Sequence, residues 1–554
     1  MKANLATLLA SRLEQPPRVM YRQFAEGAWR DYTAHDVAQQ AARWQATLRR
    51  AGLQPGERVG LCLRNGVQWV AADMAALGLG LAVVPFYVDD NPGNIAFCAR
   101  DSGCRVLVLE NQRLLAGLLD ASLTGCELVV LHGEAPPGVQ SAQRWLQPES
   151  GAVFEARDLE PGTLASIVYT SGTSGRPKGV MLSHRNSLFD VQAGLQTITL
   201  GTDERFISLL PLSHMLERTV GYYLPLLHGA SVVYSRGISQ FADDLATQQP
   251  TAMITVPRVL ERLYQRMLQA LRQQPLRARA LELAAQAGWR RSTGQATLGD
   301  RVVVPVLDRL VARRVRERLG GHLRLVVAGG AAMDASISRT FTGLGITVLQ
   351  GYGMTEASPV IAVNRVEDNV PESVGDPLPG VDVRVSEAGE LLTRGPHVML
   401  GYWNNPEATA AVLRDGWLHT GDLVEMRGRR LFIRGRIKDI LVLSNGEKVP
   451  PQDIEQSIAA DPVFQQVMLV GEGKPFLTLV AVTDETEERA LVQRANERLS
   501  QFPRYARVRR VVPVQEPWTI ENGMLTPTLK LKRAAVAERY REQIEQVYSG
   551  EEGP

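Results

Sequence analysis

LRLVVAGGA, Leu323 to Ala331, and ITVLQGYG, Ile346 to Gly353, each carry a short run rich in β-branched residues straight into a glycine turn. Apolar runs of this length, ended by glycine, read as buried strands. The pattern repeats upstream, where a stretch of helical periodicity from Thr33 to Ala51 is followed by the strand-like ERVGLCL, Glu57 to Leu63. Alternation of this kind is the signature of stacked βα units, and in open α/β sheets ligands bind beyond the carboxyl ends of the strands. The glycine turns are therefore where chemistry is expected. Near residue 435 the pattern changes to short strands and two amphipathic helices. The reading is an α/β protein whose stacked βα units are followed by a compact α+β domain of little more than a hundred residues.

Composition agrees with a multidomain globular chain: 554 residues, 45% hydrophobic and 22% charged, too many for one ordinary core. A net charge of +2 points to no nucleic acid or other polyanion as partner. The cysteines, Cys62, Cys98, Cys104 and Cys126, have no paired spacing and read as reduced thiols of a cytoplasmic protein. The start, MKANLATLLASRLEQ, is not a secretory signal. The most membrane-like segment, Met74 to Val88, contains Gly78, Gly80 and Pro85. It is shorter than the roughly 20 residues a spanning helix needs, so a buried helix turning into a buried strand is expected.

YTSGTSGRPKG, Tyr169 to Gly179, lies between the apolar LASIV and the strand-like VMLSH. Its glycines (Gly172, Gly175, Gly179), hydroxyls (Thr170, Ser171, Thr173, Ser174) and Lys178 make a flexible loop dense in donors, suited to wrapping a polyphosphate. A surface turn of Gly and Ser would share the composition but not the order. It is not a Walker loop, because Pro177 precedes Lys178 and no Ser or Thr follows.

With this loop the chain resembles the superfamily of adenylate-forming enzymes, which includes acyl-CoA synthetases, luciferases and the adenylation domains of peptide synthetases, over a span from about residue 20 to Arg533. The resemblance implies that Thr170, Ser171, Gly172, Thr173, Ser174, Gly175 and Lys178 hold the β- and γ-phosphates of ATP and the departing pyrophosphate. In GYGMTE it implies Gly351, Tyr352 and Gly353 against adenine, Thr355 on the α-phosphate and Glu356 on Mg²⁺. These assignments suit an aromatic face and a hard carboxylate oxygen. AGGAAM, with Gly329, Gly330 and Ala331, matches the segment where small residues let acyl chain and adenine approach the backbone.

In GWLHTGD and GRIKD the resemblance makes Asp422 the acceptor for both ribose hydroxyls, Arg436 its supporting fork of donors, and Lys438 the hinge residue, which implies a large N-terminal domain of several subdomains (1–434), a hinge (435–438) and a small, mobile α+β C-terminal domain (439–554). LSNGEKVPP, with Gly446, would form a thiol tunnel after the small domain swings. NGMLTPTLKLKR looks like the end of long-chain fatty acyl-CoA synthetases, with Thr528 and Leu529 where many relatives have Ser-Gly; it implies Lys530 as catalytic lysine, with Lys532 competing. The chain has only seven lysines, and five of them (Lys178, Lys438, Lys448, Lys530 and Lys532) fall in these segments. LPLSHMLER resembles the segment flanking the acyl site, with His214 near the carboxylate or gating the pocket; a loop histidine satisfied in place is the plainer alternative.

The implied reaction is ATP- and Mg²⁺-dependent conversion of a carboxylic acid, by preference a medium- to long-chain fatty acid, to acyl-AMP, then transfer to coenzyme A. An acyl-adenylate ligase loading a carrier-protein thiol, an aryl-CoA ligase, a luciferase-like oxygenase and a nucleotide-sensing binding protein are the alternatives. Residues 272–318 carry eleven Arg against four acids. Most such runs are solvated helix faces; the sharper expectation is peripheral association with the inner face of an anionic membrane.

Overall fold

The computed structural model describes residues 4–118, 123–147, 151–170, 176–271, 274–500, 502–520, 522–526 and 530–549. The chain forms two compact units, one of residues 1–331, 335–382 and 393–418, the other of 332–334, 383–392 and 419–554.

Two sheets build the first unit. In one, Thr347–Gly353, Leu325–Ala328, Ala252–Thr255, Arg205–Ser208, Ser231–Tyr234 and Val19–Ala25 lie side by side and parallel, and Val360–Val363 and Ala28–Thr33 continue it antiparallel. Leu325, Val326, Val327 and Ala328 are all buried, as a strand covered on both faces requires. The helix Ala335–Gly343 connects Leu325–Ala328 to Thr347–Gly353, the βα repeat expected from the quoted runs. Register pairs Leu325 with Thr347 and Ala328 with Gln350, so Gly329, just past its strand, lies level with Gly351, which is still paired to Val363. Gly353 admits no side chain there: a Cβ on it would lie 1.7 Å from the Pro359 carbonyl oxygen.

The second sheet of this unit has Arg58–Cys62 at its centre, between Ala82–Pro85 and Cys104–Asn111. Its side toward Leu164–Thr170 ends in the antiparallel Lys178–Ser183 and Gly401–Tyr402. The helix Ala34–Arg50 starts at Thr33 with a capping box closed by Asp36, the N-terminal signal expected of a stable amphipathic helix. Val67–Gly78 followed by Ala82–Pro85 is the buried helix and strand read from the Met74 to Val88 segment. Among the described residues no helix is long and apolar enough to cross a membrane. Between the strands Ala252–Thr255 and Leu325–Ala328 the chain inserts the helices Pro257–Leu271, Pro275–Ser292 and Leu298–Leu307, so the Arg-rich run is helical.

The second unit is α+β. Gln466–Val470, Leu477–Val482 and Val508–Val514 form a three-stranded sheet. Alternation along the middle strand sorts its side chains: Leu477, Leu479 and Ala481 pack with Ile454, Ile458, Leu491 and Ala495 of the helices Pro451–Ala459 and Glu488–Arg498. Val480 and Val482 pack with Trp518, Met524, Val536 and Tyr540. The hairpin Trp417–Arg427 and Arg430–Arg436 is continuous, so the second unit takes up the chain ahead of Gly435, the residue where composition shifts.

Candidate active site

In the first unit the strands that flank the Gly-rich motif pair antiparallel as far as Thr170 and Lys178, with Tyr169 opposite Gly179. Ser171, Gly172, Thr173, Ser174 and Gly175 lie outside the described residues. Gly179 packs tightly, since a Cβ there would stand 2.7 Å from Ile167. The antiparallel register thus delivers Thr170 and Lys178 together to the mouth of the loop.

Lys178 does not stand alone. Its Nζ lies 5.2 Å from the centre of the Tyr402 ring, within the range of a cation–π contact. The Tyr402 hydroxyl donates a 2.8 Å hydrogen bond to Glu356 Oε1. Tyr402 pairs with Val180 across the sheet edge, and the Met399 N–H donates to the Glu356 carbonyl at 2.9 Å. One phenol therefore joins the phosphate-loop lysine to the carboxylate of GYGMTE. Burial, and then the adjacent Glu356, push the Tyr402 hydroxyl far above its ordinary pKa, so it stays protonated and donates. No reading of the sequence had singled out Tyr402.

Glu356 and Thr355 sit in a single 3-10 turn, Thr355–Ala357, directly after the strand that ends in Gly351, Tyr352 and Gly353. Glu356 is 8% exposed, while Tyr352 and Thr355 are half-buried. Among the described residues no group of three or more His, Cys, Asp or Glu side chains could cage a metal. Glu356 offers a hard carboxylate oxygen, the donor type that Mg²⁺ takes beside substrate phosphate and its own waters.

His214 stands where a turn passes into helix: its N–H donates to the Pro211 carbonyl and its carbonyl accepts from Arg218 N–H. The π-helical stretch Glu217–Tyr223 follows. Leu216 lies 3.3 Å from where a Cβ on Gly329 would stand, and the Gly351 carbonyl equally close. Gly330 has φ +85°, a left-handed conformation that favours glycine. The fold so brings Gly329, Gly330, Gly351 and the His214 segment together. Two supports here were illegible in the sequence. Asn65 Nδ2 donates to Ser208 Oγ (2.9 Å) and to the Leu210 carbonyl (2.7 Å), and its Oδ1 accepts from Leu212 N–H (2.8 Å). Arg218 is fully buried in an ion pair with Asp73, to which Tyr223 also donates.

A water-sized void with wholly apolar walls, among them Phe206, Val220, Leu224, Ile254 and Val327, lies in the packing of this sheet. Val220 and Leu224 come from the helix that follows His214, and Val327 from the strand that ends at Gly329.

In the second unit Asp422 is 3% exposed and pairs with Arg436, whose Nε donates to Oδ1 at 2.8 Å. Strand register sets them opposite each other, and Thr420 Oγ1 accepts from the Asp422 N–H. Lys438 is exposed in the turn Ile437–Asp439. Gly446, at φ +83°, closes a tight turn by donating to the Leu443 carbonyl. Lys530 is exposed; its N–H donates to Thr526 Oγ1 at 3.0 Å, and its carbonyl accepts from Thr526 N–H. Thr528 and Leu529 fall outside the described residues. Lys532, the competing lysine, instead caps the helix Arg533–Arg539, its N–H held by the Met524 carbonyl.

The model of the family described as "AMP-binding enzyme" matches residues 10–403, and that of the "AMP-binding enzyme C-terminal domain" matches 438–552. The chain belongs to the AMP-binding enzyme family. Among curated proteins, this AMP-binding enzyme is 31% identical over 585 residues to the long-chain-fatty-acid–CoA ligase FadD15 of Mycobacterium tuberculosis, covering 97% of this chain and 96% of that protein. It is 28% identical over 557 residues to the peroxisomal long chain acyl-CoA synthetase 7 of Arabidopsis thaliana, covering 90% and 79%. Among solved structures, the anthranilate CoA ligase AuaEII, in complex with anthranoyl-AMP, shares its fold, with a TM-score of 0.78 at 22% identity over 98% of this chain and all of that one.

Proposed function

We propose that the protein activates a medium- to long-chain fatty acid with ATP to an acyl-adenylate and passes the acyl group to coenzyme A, releasing AMP and pyrophosphate. The observation that carries this reading is the link from Lys178 through Tyr402 to Glu356, a cation for polyphosphate and a carboxylate for its metal held on one phenol. FadD15, similar over nearly the whole of both chains, supports the acid and the acceptor.

An anionic carboxylate attacks an anionic phosphate poorly, so the site must neutralise both. On this reading Lys178 and the loop donors hold the β- and γ-phosphates, Tyr352 lies along adenine, Thr355 meets the α-phosphate and Asp422, steadied by Arg436, accepts from the ribose hydroxyls. Glu356 would hold Mg²⁺, which when bound supplies charge stabilisation on the phosphate oxygens. Lys530 would bridge carboxylate and α-phosphate during adenylation only. Residues 439–554 would then turn about a hinge at Gly435–Lys438 and present the Gly446 turn to the thiol. We also place this activity at the inner face of a membrane, where fatty acids partition. Acid-dependent exchange of labelled pyrophosphate into ATP, run over fatty and aryl acids, tests the reading: exchange greatest with fatty acids supports it, and exchange only with aryl acids, or none, overturns it.

A further inference from the structure

Asp190 is a buried acid that the reaction as read so far does not use. It lies in the helix His184–Thr197, which follows the strand of Lys178 and starts with a capping box between Ser183 and Asn186. The residue is 2% exposed. Its Oδ2 accepts a 2.7 Å hydrogen bond from the Val360 N–H, and its Oδ1 has no partner among the described residues. Burial pushes the carboxyl well above the usual carboxylate range, against the opposing effect of the Val360 N–H, so the group stays a neutral acid. An acid buried with one oxygen unsatisfied is costly to fold. What it holds is the base of the loop that carries Thr355 and Glu356.

Gly353 pairs with Val360 across the antiparallel strands Thr347–Gly353 and Val360–Val363, so residues 354–359 connect the two. Within this loop the Ala357 N–H donates to the Met354 carbonyl and the Ser358 N–H to that of Thr355, which makes the turn of Thr355 and Glu356. Ser358 leaves the turn at φ +69°, a left-handed conformation that serine rarely adopts, and its carbonyl accepts from Thr219 Oγ1 at 3.1 Å. Asp190 then fixes Val360, the first strand residue beyond the loop. One helical turn earlier, Asn186 Nδ2 donates to the carbonyls of Pro396 (2.7 Å) and Val398 (2.9 Å). Met399, next in the chain, donates to the Glu356 carbonyl, and Tyr402 donates to the Glu356 carboxylate. Residues 186 and 190, four apart, are neighbours on the helix surface. One face of this helix therefore grips both chain segments that converge on Glu356.

We infer that Asp190 is a positioning residue for adenylation: by accepting from the Val360 N–H it fixes the loop that presents Thr355 to the α-phosphate and Glu356 to Mg²⁺. The inference rests on the reading of Glu356 as the Mg²⁺ carboxylate. An acceptor at this point is all that the role requires. Asparagine supplies one in the same place and, like the neutral acid, carries no charge, whereas leucine fills the volume and supplies none.

Calorimetric titration of the full chain with ATP, once with Mg²⁺ and once with EDTA, gives the gain in ATP affinity that the metal brings, with no acid substrate present. Pyrophosphate exchange across Mg²⁺ concentrations gives the half-saturating Mg²⁺ of the working enzyme. Asp190→Leu lowers the gain at least about fivefold and raises half-saturation by a similar factor, in the direction of Glu356→Gln, while Asp190→Asn restores both to within about twofold of the wild type. Thermal unfolding establishes that each variant is folded, and Asp190→Ala takes the place of Asp190→Leu in the comparison if the leucine variant is not. A folded Asp190→Leu or Asp190→Ala with the wild-type gain overturns the inference, as does Asp190→Asn impaired as deeply as Asp190→Leu. So does a fall in exchange rate with both metal measurements unchanged, which would make Asp190 a packing residue only. If Glu356→Gln loses the gain and Asp190→Leu does not, the inference alone fails; if Glu356→Gln keeps it, the metal reading fails and takes the inference with it.

Discussion

Tyr402→Phe removes one oxygen and leaves the rest of the Tyr402 environment in place. The ring can still meet Lys178, and the backbone pairing with Val180 is untouched. What is lost is the 2.8 Å donation to Oε1 of a carboxylate that is only 8% exposed. Removing the donor to a buried carboxylate costs about 1–3 kcal/mol. Felt in the transition state, that is a fall of about 5- to 150-fold in kcat/KM for adenylation. If Tyr402 acts by fixing Glu356 for Mg²⁺, the loss appears as a higher Mg²⁺ requirement. Pyrophosphate exchange measured across Mg²⁺ concentrations reads both quantities, and thermal unfolding of each variant checks that the fold is intact. The deciding control is a double-mutant cycle. In a Glu356→Gln background, itself impaired at limiting Mg²⁺, adding Tyr402→Phe changes little. Full additivity of the two substitutions, or a Tyr402→Phe enzyme with wild-type rate and Mg²⁺ dependence, would refute the reasoning.

Lys530→Ala slows adenylation by about a hundredfold or more, on the order of 3 kcal/mol, yet approaches wild-type turnover from synthetic acyl-AMP and coenzyme A; equal damage to both half-reactions removes Lys530 from its role, and Lys532→Ala is the comparison. His184 is buried, accepts from Leu5 N–H and is held down at about 4 by burial and by Arg218. A folded pKa below the unfolded 6.5 gives stability that is complete above pH 6.5 and is lost as pH falls toward 4. The thermal midpoint should therefore drop over that window, and less steeply in His184→Gln; equal slopes would contradict the assignment.

The parts of this molecule legible in the sequence are those that local chemistry specifies. Runs such as LRLVVAGGA announce both a strand and the glycines that follow it, and the register of Leu325–Ala328 against Thr347–Gly353 then places Gly329 level with Gly351, although Gly351 to Gly353 extend the strand where a turn was expected. Thr170 and Lys178 were readable for the same reason, as the paired ends of the strands that flank the Gly-rich motif. Tyr402 was not, because its partner Glu356 is 46 residues away and the two-residue strand Gly401–Tyr402 has no periodicity to read. Arg218 closes the LPLSHMLER segment with nothing local to mark it, and only the fold buries it against Asp73, 145 residues earlier. The helical spacing of Leu276 and Leu283 is that of any core stripe. That they face outward depends on the Gly288–Gly343 contact, which turns the opposite side of the helix inward.

The central claim is that the acid is activated as an adenylate, and oxygen transfer tests it most directly. A fatty acid labelled with ¹⁸O in its carboxylate, turned over with ATP, Mg²⁺ and coenzyme A, should deliver one labelled oxygen to AMP and none to pyrophosphate, because the carboxylate oxygen becomes the bridge to the α-phosphate. Label in inorganic phosphate with formation of ADP, or unlabelled AMP, would contradict the account.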